Sequence, residues 1–276
     1  MRNVLVADSG STKTDWAYGD MIFSTQGINP FHQDDICILS ILKEELLPKI
    51  DNIHVENIRF YGSGVRPEKE AQLCRLLSIA FPSALTIEAH SDILGAARAL
   101  CGYEEGIACI LGTGSNSCLY NGSDIVSNIS PMGYILGDEG SGASLGKLFL
   151  NALYKKRLPN RIKVSFEEET GMDLSTIIDR VYRQPMAGRW LASLSPFIYR
   201  HINEEQVEEI VVENFICFIR HNILPYQRKD LPINALGSMA FYYKFQLEEA
   251  VKKEGCALGR VMRNPIESLI QMEQLR

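Results

Sequence analysis

The segment Asn3-Val4-Leu5-Val6-Ala7-Asp8-Ser9-Gly10-Ser11-Thr12-Lys13-Thr14 sets a short apolar run against a turn of small and polar residues. About a hundred residues later the arrangement returns as Ile107-Ala108-Cys109-Ile110-Leu111-Gly112-Thr113-Gly114-Ser115-Asn116-Ser117. A second extended stretch follows each turn, Asp15 to Tyr18 and Cys118 to Gly122. Both segments therefore read as strand, tight polar turn, strand. Gly10 aligns with Gly114 and Ser11 with Ser115, an internal repeat that predicts two similar lobes, each opening with a β-hairpin.

Around these turns, strands alternate with helices. Ile36 to Ile50 and Glu68 to Phe81 have helical apolar spacing, and Ile58 to Gly64 reads as a strand ending in glycines. Leu85 to Glu88 reads as a short strand leading through Ala89-His90-Ser91-Asp92 into a helix from Ile93 to Leu100. Asp92 thus stands near a strand-to-helix junction, where α/β proteins present their chemistry. In the second half Ser141 to Tyr154, Glu204 to Leu224 and Tyr242 to Lys253 are expected helices. Pro232 to Leu236 is an expected strand ending at Gly237-Ser238, and Ile266 to Leu275 is helical by spacing.

A chain of 276 residues exceeds the usual single-domain length, which agrees with two lobes. Hydrophobic residues at 46% and charged residues at 22% are the balance of a globular protein with a substantial core. With a net charge of -6 and no basic run longer than Lys155-Lys156-Arg157, nucleic acid is not an expected partner. Seven cysteines stand singly among apolar neighbours and read as reduced core residues of a cytoplasmic protein. The apolar run before Asp8 is too short for a signal peptide, and no stretch approaches the length of a membrane span.

Three small-residue turns carry the candidate chemistry: Asp8 to Thr14, Gly112 to Ser117, and Gly237-Ser238. Glycines let backbone N–H groups approach a phosphate and hydroxyls add donors, although any one such turn reads equally as an ordinary hairpin. Three of them after apolar strands favour a shared phosphate site. No G-x-x-x-x-G-K-[ST] occurs, since Gly146-Lys147 is followed by Leu148, so a P-loop mechanism is not expected. Gly137-Asp138-Glu139-Gly140-Ser141-Gly142 is no dinucleotide fingerprint either, because its acidic pair would repel a pyrophosphate.

The ordered set Asp8 to Thr14, Ser91-Asp92, Gly112-Thr113-Gly114-Ser115-Asn116, Gly137 to Gly142 and Leu236-Gly237-Ser238 resembles the N-acetylglucosamine kinase and BadF/BadG/BcrA/BcrD ATPase family, of the actin, hexokinase and Hsp70 superfold. The resemblance spans nearly the whole chain. It implies an α/β fold of two ribonuclease-H-like, actin-like ATPase lobes with a central nucleotide cleft. The first lobe would span 1–103, joined by a C-terminal helix at 264–276, and the second 104–263. It further implies ATP and Mg²⁺ as cofactors and a small amino sugar as substrate, with a homodimer as a plausible assembly. Asp92 would be the general base, and Asp8 would hold Mg²⁺ through water. Gly10, Ser11, Thr12, Lys13, Thr113, Gly114, Gly237 and Ser238 would line the nucleotide. Asn29, Asp92, Ser115, Asn116, Gly133 and Asp138 would meet the sugar, amides and carboxylates being good readers of vicinal hydroxyls.

Two residues also have plain structural readings. Ser-Asp before an apolar helix is a common helix start, and Asn29-Pro30 suits a turn. One departure from the family pattern concerns specificity. Many of its sugar kinases carry Gly-Trp-Gly before the Gly-Asp-Glu-Gly-Ser segment, where this chain has Pro131-Met132-Gly133. Alternative expectations are an ATPase activator of an acyl-CoA reductase or dehydratase, which would need cysteines to hold an iron–sulfur cluster, and a non-catalytic nucleotide-dependent sugar sensor.

Overall fold

The computed structural model describes residues 3–10, 12–51 and 53–275. These divide into two compact units, one running to Glu104 and including Gly122–Asp124 and the chain from Asn264 onward, the other formed by Glu105–Asn121 and Ile125–Arg263. The sheet of the first unit contains β1 (Val4–Ser9), β2 (Lys13–Tyr18), β3 (Met21–Gln26), β4 (Asn57–Gly62) and β5 (Thr86–Ser91) in the order β3-β2-β1-β4-β5. The first three strands are mutually antiparallel, and β4 and β5 continue parallel to β1. Helices α1 (Asp35–Ser40), α2 (Pro67–Ala80) and α3 (Asp92–Cys101) connect or follow these strands.

Strand β1 is central and covered on both faces, which explains its uninterrupted apolar run. Leu5 and Ala7 join the core that contains Ile38, Leu42, Leu73 and Leu77, on the side of α1 and α2. Val4 and Val6 join Tyr61 and Ala99 on the opposite side.

The second unit repeats the plan. Its strands β6 (Glu105–Leu111), β7 (Ser115–Asn121), β8 (Ile125–Ile129), β9 (Ile233–Leu236) and β10 (Leu258–Met262) lie in the order β10-β9-β6-β7-β8, with the same antiparallel and parallel senses. Between β8 and β9 run α4 (Gly133–Leu136), α5 (Gly142–Tyr154), α6 (Asn160–Thr170), α7 (Leu174–Tyr182), α8 (Ala187–Ala192), α9 (Ser195–Arg200) and α10 (Glu205–Phe218). Phe149, Phe166 and Phe197 pack together in this helical layer with ring centroids 5.3–5.9 Å apart, Phe166 meeting each of the other two edge to face. Helices α11 (Ser238–Tyr242) and α12 (Lys244–Lys253) join β9 to β10. Finally α13 (Ile266–Leu275) returns to the first unit, where Ile266, Leu269 and Ile270 cover Val4, Val6 and Ala17.

Three expectations are corrected in detail. Ile36 to Ile50 is not one α-helix but α1, a π-helical turn at Ile41–Leu46 and a 3-10 turn at Leu47–Lys49. Glu204 to Leu224 ends in the same way, with a π turn at Ile219–Ile223 and a 3-10 turn at Leu224–Tyr226. The physical reason is shared: Pro48 and Pro225 have no N–H to continue the i to i−4 ladder and their rings crowd the carbonyl four residues back, so the final turn rearranges. The repeat register also shifts. The last paired residues are Ser9 with Thr14 in the first hairpin and Leu111 with Ser115 in the second. Gly10 donates to the Lys13 carbonyl and Gly112 to that of Gly114, each at 2.9 Å. Gly10 is thus the counterpart of Gly112, not of Gly114, because the second turn is one residue shorter.

Candidate active site

Asp8 continues the parity of Val4 and Val6, so it lies on the face of β1 that α3 and α13 cover. Its register partner across β4 is Tyr61, and Tyr61 in turn pairs with His90 of β5. The row Asp8, Tyr61, His90 ends two residues short of Asp92, the first residue of α3. Helix α3 approaches this row closely because residue 95 is glycine; a Cβ there would stand 2.8 Å from the Tyr61 side chain. Arg98, one turn further along α3, donates to the Tyr61 hydroxyl at 2.9 Å and locks the contact.

The electrostatics follow from this placement. Burial, then the charges of Asp92 and Asp15, raise the Asp8 carboxyl from 3.8 to about 7, against a lowering influence from Lys13. Burial also raises Asp92, while the Ile93 N–H, donating to Asp92 Oδ1 at 2.8 Å, favours the ionised form. Asp92 therefore does serve the helix start, its carboxylate accepting from the first N–H groups of α3. Lys13 pairs with Asp15 at 2.7 Å. Asp15 is further held by Ser24 at 2.6 Å and Asn264 at 2.9 Å, so its ion pair is part of a network that ties α13 to the hairpin.

Behind the first turn, Ser9 and Thr14 share a 2.6 Å hydrogen bond, and both accept from the Ile28 N–H. That junction places Asn29, which is 5% exposed. Its side-chain oxygen accepts from the Phe31 N–H at 3.0 Å and its own N–H donates to Gln33 Oε1 at 2.8 Å. The turn role foreseen for Asn29 is thus present. Thr12 and Lys13 are exposed, and Ser11 lies outside the described residues.

In the second unit the Gly112–Gly114 turn rests on the start of α5: the N–H groups of Gly142 and Ala143 donate to the carbonyls of Gly112 and Thr113 at 2.8 and 3.2 Å. Ser141 caps α5 by accepting from the Ser144 N–H. Gly237 presses against the same turn, with φ of +116° and an ideal Cβ position 2.4 Å from the Leu111 carbonyl oxygen. Ser238, the first residue of α11, is exposed.

Asp138 gathers several predicted residues. Its carboxyl is raised by burial, countered chiefly by the Ser115 N–H and also by Lys147 and the Gly133 N–H, while Glu139 pushes it up. It lies against Gly114, where a Cβ would be 3.0 Å from Oδ2. Its N–H donates to the Pro131 carbonyl at 2.9 Å, so the Pro131-Met132-Gly133 segment is folded around it. Ser115 Oγ is buried and has no hydrogen-bond partner among the described residues. Asn116 Oδ1 accepts from the Ser117 N–H and Asn128 Nδ2, both at 2.9 Å.

A candidate N-acetylglucosamine kinase from Porphyromonas gingivalis shares 46% identity, with 99% of each chain covered and a TM-score of 0.96. The chain belongs to the N-acetylglucosamine kinase family. Two more distant structures show the same fold: a candidate N-acetylglucosamine kinase from Chromobacterium violaceum, at 16% identity, 98% of each chain and TM-score 0.74, and a ROK family glucokinase from Streptomyces griseus solved with glucose and AMPPNP, at 13% identity, 98% of each chain and TM-score 0.62. The family fold is the two-unit α/β fold of actin-like ATPases, as the sequence resemblance implied. No family model and no curated protein matches the chain.

Within this N-acetylglucosamine kinase family member, the structure brings Asp8 and Asp92 into electrostatic reach of one another, and Ser115, Gly133, Gly114 and Asp138 into one cluster. Sequence reasoning missed the residues behind them. Gly95 and Tyr61 seat α3, Lys147 donates to the Tyr134 carbonyl in α4, and Asn214 binds the loop after Asp138. The available signal for Asn214 was a lone amide, beside Glu213, in the otherwise apolar stretch Val211 to Phe218. No helix among the described residues is long and apolar enough to cross a membrane.

Proposed function

We propose that this chain transfers the γ-phosphate of ATP to a hydroxyl of N-acetylglucosamine or a related amino sugar. The observation that carries this reading is the 46% identity over 99% of the chain to a candidate N-acetylglucosamine kinase. The local chemistry supports it. A sugar hydroxyl is a weak nucleophile, and Asp92, oriented by the Ile93 N–H and made more basic by burial, can take its proton as the new O–P bond forms and the bond to ADP breaks. Thr12 and Gly10 in one unit, and Thr113, Gly114, Gly237 and Ser238 in the other, have the small size and donors that phosphates and a nucleoside require. Asn29, Ser115, Asn116, Gly133 and Asp138 would read the sugar. The unpartnered Ser115 hydroxyl is a group that a ligand hydroxyl would satisfy.

Asp8 suits Mg²⁺. A carboxyl pushed up by burial and by two neighbouring acids gains from a divalent cation. Among the described residues no cluster of three or more acidic, His or Cys groups offers a complete cage. This fits an ion held by one carboxylate, water and phosphate oxygens. Bound there, Mg²⁺ would supply charge neutralisation at the transferring phosphate.

The decisive experiment is ADP release with Mg-ATP against a panel of amino sugars that includes N-acetylglucosamine and glucosamine. Sugar-dependent turnover is expected. Thermal stabilisation by sugar and nucleotide without product would instead establish a sensor. Nucleotide hydrolysis indifferent to every sugar would favour an activator.

Two further outcomes arise here. Asn29→Asp keeps the oxygen that caps the Phe31 N–H but removes the amide donor. We expect the sugar KM to rise about tenfold, the order of one lost neutral hydrogen bond, and Tm to fall at neutral pH because the new carboxylate is buried; an unchanged KM would leave Asn29 as a turn residue only. The second concerns pH in the metal-free protein. Because folding raises the Asp8 pKa from 3.8 to about 7, folded and unfolded chains are both protonated below 3.8, and no penalty exists there. Between those values only the unfolded state ionises, so stability falls as pH rises, and above about 7 the full penalty is present. Asp8→Asn should therefore stabilise the metal-free protein at pH 8 by up to about 4 kcal/mol, about three pKa units at about 1.4 kcal/mol each. The gain should vanish near pH 4 in thermal melts.

A further inference from the structure

We infer that Asn214 is a positioning residue that holds the nucleotide-side turn and the sugar-side acid in one arrangement, an inference that rests on the sugar-kinase reading above. Asn214 lies on α10 with no exposed surface, amid Val211, Val212, Phe215 and Phe218, which are all buried. An amide in such surroundings is costly unless its polar atoms are satisfied. Neither of its partners there is another helix: Oδ1 accepts from the Gly140 N–H and Nδ2 donates to the Ser141 carbonyl, both at 3.2 Å. One side chain thus clamps two consecutive backbone units, in the manner of a strand partner.

Those two units sit at a junction. Upstream, the Ser141 N–H donates to the Asp138 carbonyl at 3.1 Å, so the clamp bears on the left-handed residue Asp138 itself, whose φ is +55°. Downstream, Ser141 caps α5, and the first N–H groups of α5 hold the carbonyls of Gly112 and Thr113. The continuation of α10 grips the same loop from a second point, since Asn222 Nδ2 donates to Glu139 at 3.2 Å and His221 Nδ1 lies 3.3 Å from it. Asn214 therefore touches neither ligand-side group but fixes the loop between them. An apolar isostere would strand the buried Gly140 N–H and leave the Ser141 carbonyl with only the Leu145 N–H, 3.0 Å away, so the loop would leave the helix to hydrate the orphaned amide.

The test compares Asn214→Leu and Asn214→Asp with a control, Gln246→Leu. Gln246 is also buried and bonds Glu208 at the start of α10, away from the loop. For both Asn214 variants we expect the KM for sugar and for ATP to rise at least tenfold. Gln246→Leu should lower Tm to a similar extent and leave both constants unchanged. If Gln246→Leu raises KM equally, the role of Asn214 is general helix packing and the inference fails. Wild-type hydrogen exchange gives a readout that needs neither activity nor a folded variant: the Gly140 amide should be as protected as the interior of α10, while exchange at the rate of an open loop would overturn the clamp. Absence of sugar turnover in the wild type, with Gly140 protected, would sink the kinase reading and leave the clamp standing.

Discussion

Asp92→Asn is expected to reduce sugar-dependent ADP release by about 10²–10⁴-fold, the span that a positioned general base contributes, with both KM values within a few-fold of wild type. Asn retains an oxygen that can accept from the Ile93 N–H, so the start of α3 and its contact with Tyr61 should survive. The substitution removes the negative charge and the proton-accepting oxygen together. Because ionised Asp92 also raises Asp8, the variant should bring the Asp8 pKa down, which would appear as Mg²⁺ dependence persisting to lower pH. A variant that keeps more than a tenth of wild-type kcat would remove Asp92 from the proton transfer.

A comparably large effect, of a different kind, is expected for Gly237→Ala. The backbone there has φ of +116° and ψ of 172°, a region open in practice only to glycine, and a methyl would meet the Leu111 carbonyl at 2.4 Å. Backbone strain and the clash with a main-chain atom together point to a loss of about 3–5 kcal/mol, or roughly 10 °C in Tm for a unit of this size. Whatever protein remains folded should show a raised KM for ATP, because the displaced neighbour is the strand end that carries the Gly112–Gly114 turn. A Tm within two or three degrees of wild type, with ATP affinity intact, would mean that β9 and the turn move apart without consequence.

What could be read from the chain beforehand was local. An apolar run ending in small polar residues is a signal that neighbouring residues alone carry, and both hairpins lay where Val4 to Thr14 and Ile107 to Ser117 placed them. The final helix was legible for the same reason. Less legible were features set by contacts distant in sequence. The one-residue difference between the turns is invisible to a comparison that aligns glycines, because a hairpin's register is fixed by pairing across the sheet. The π-helical turns keep an apolar spacing that resembles an α-helix, so periodicity cannot reveal them. The Leu-Pro steps at 47–48 and 224–225 do mark both, and they extend the internal repeat beyond the hairpins. The helices from 160 to 200 carried no motif. Residues that position others, such as Gly95 and Asn214, differ from ordinary helix residues only in what lies across from them.

The return of α13 to the first unit has a consequence for the order in which the protein is made. Val4, Val6, Ala17 and Tyr61 leave the ribosome roughly two hundred residues before Ile266, Leu269 and Ile270, the side chains of α13 that cover them. The second unit lies wholly between and can close its core while synthesis continues. The first unit therefore completes its core only after the second has been made, and during the interval the part of its sheet that α13 covers is apolar and exposed. That window, rather than the finished molecule, is where binding by a chaperone or loss to aggregation should concentrate.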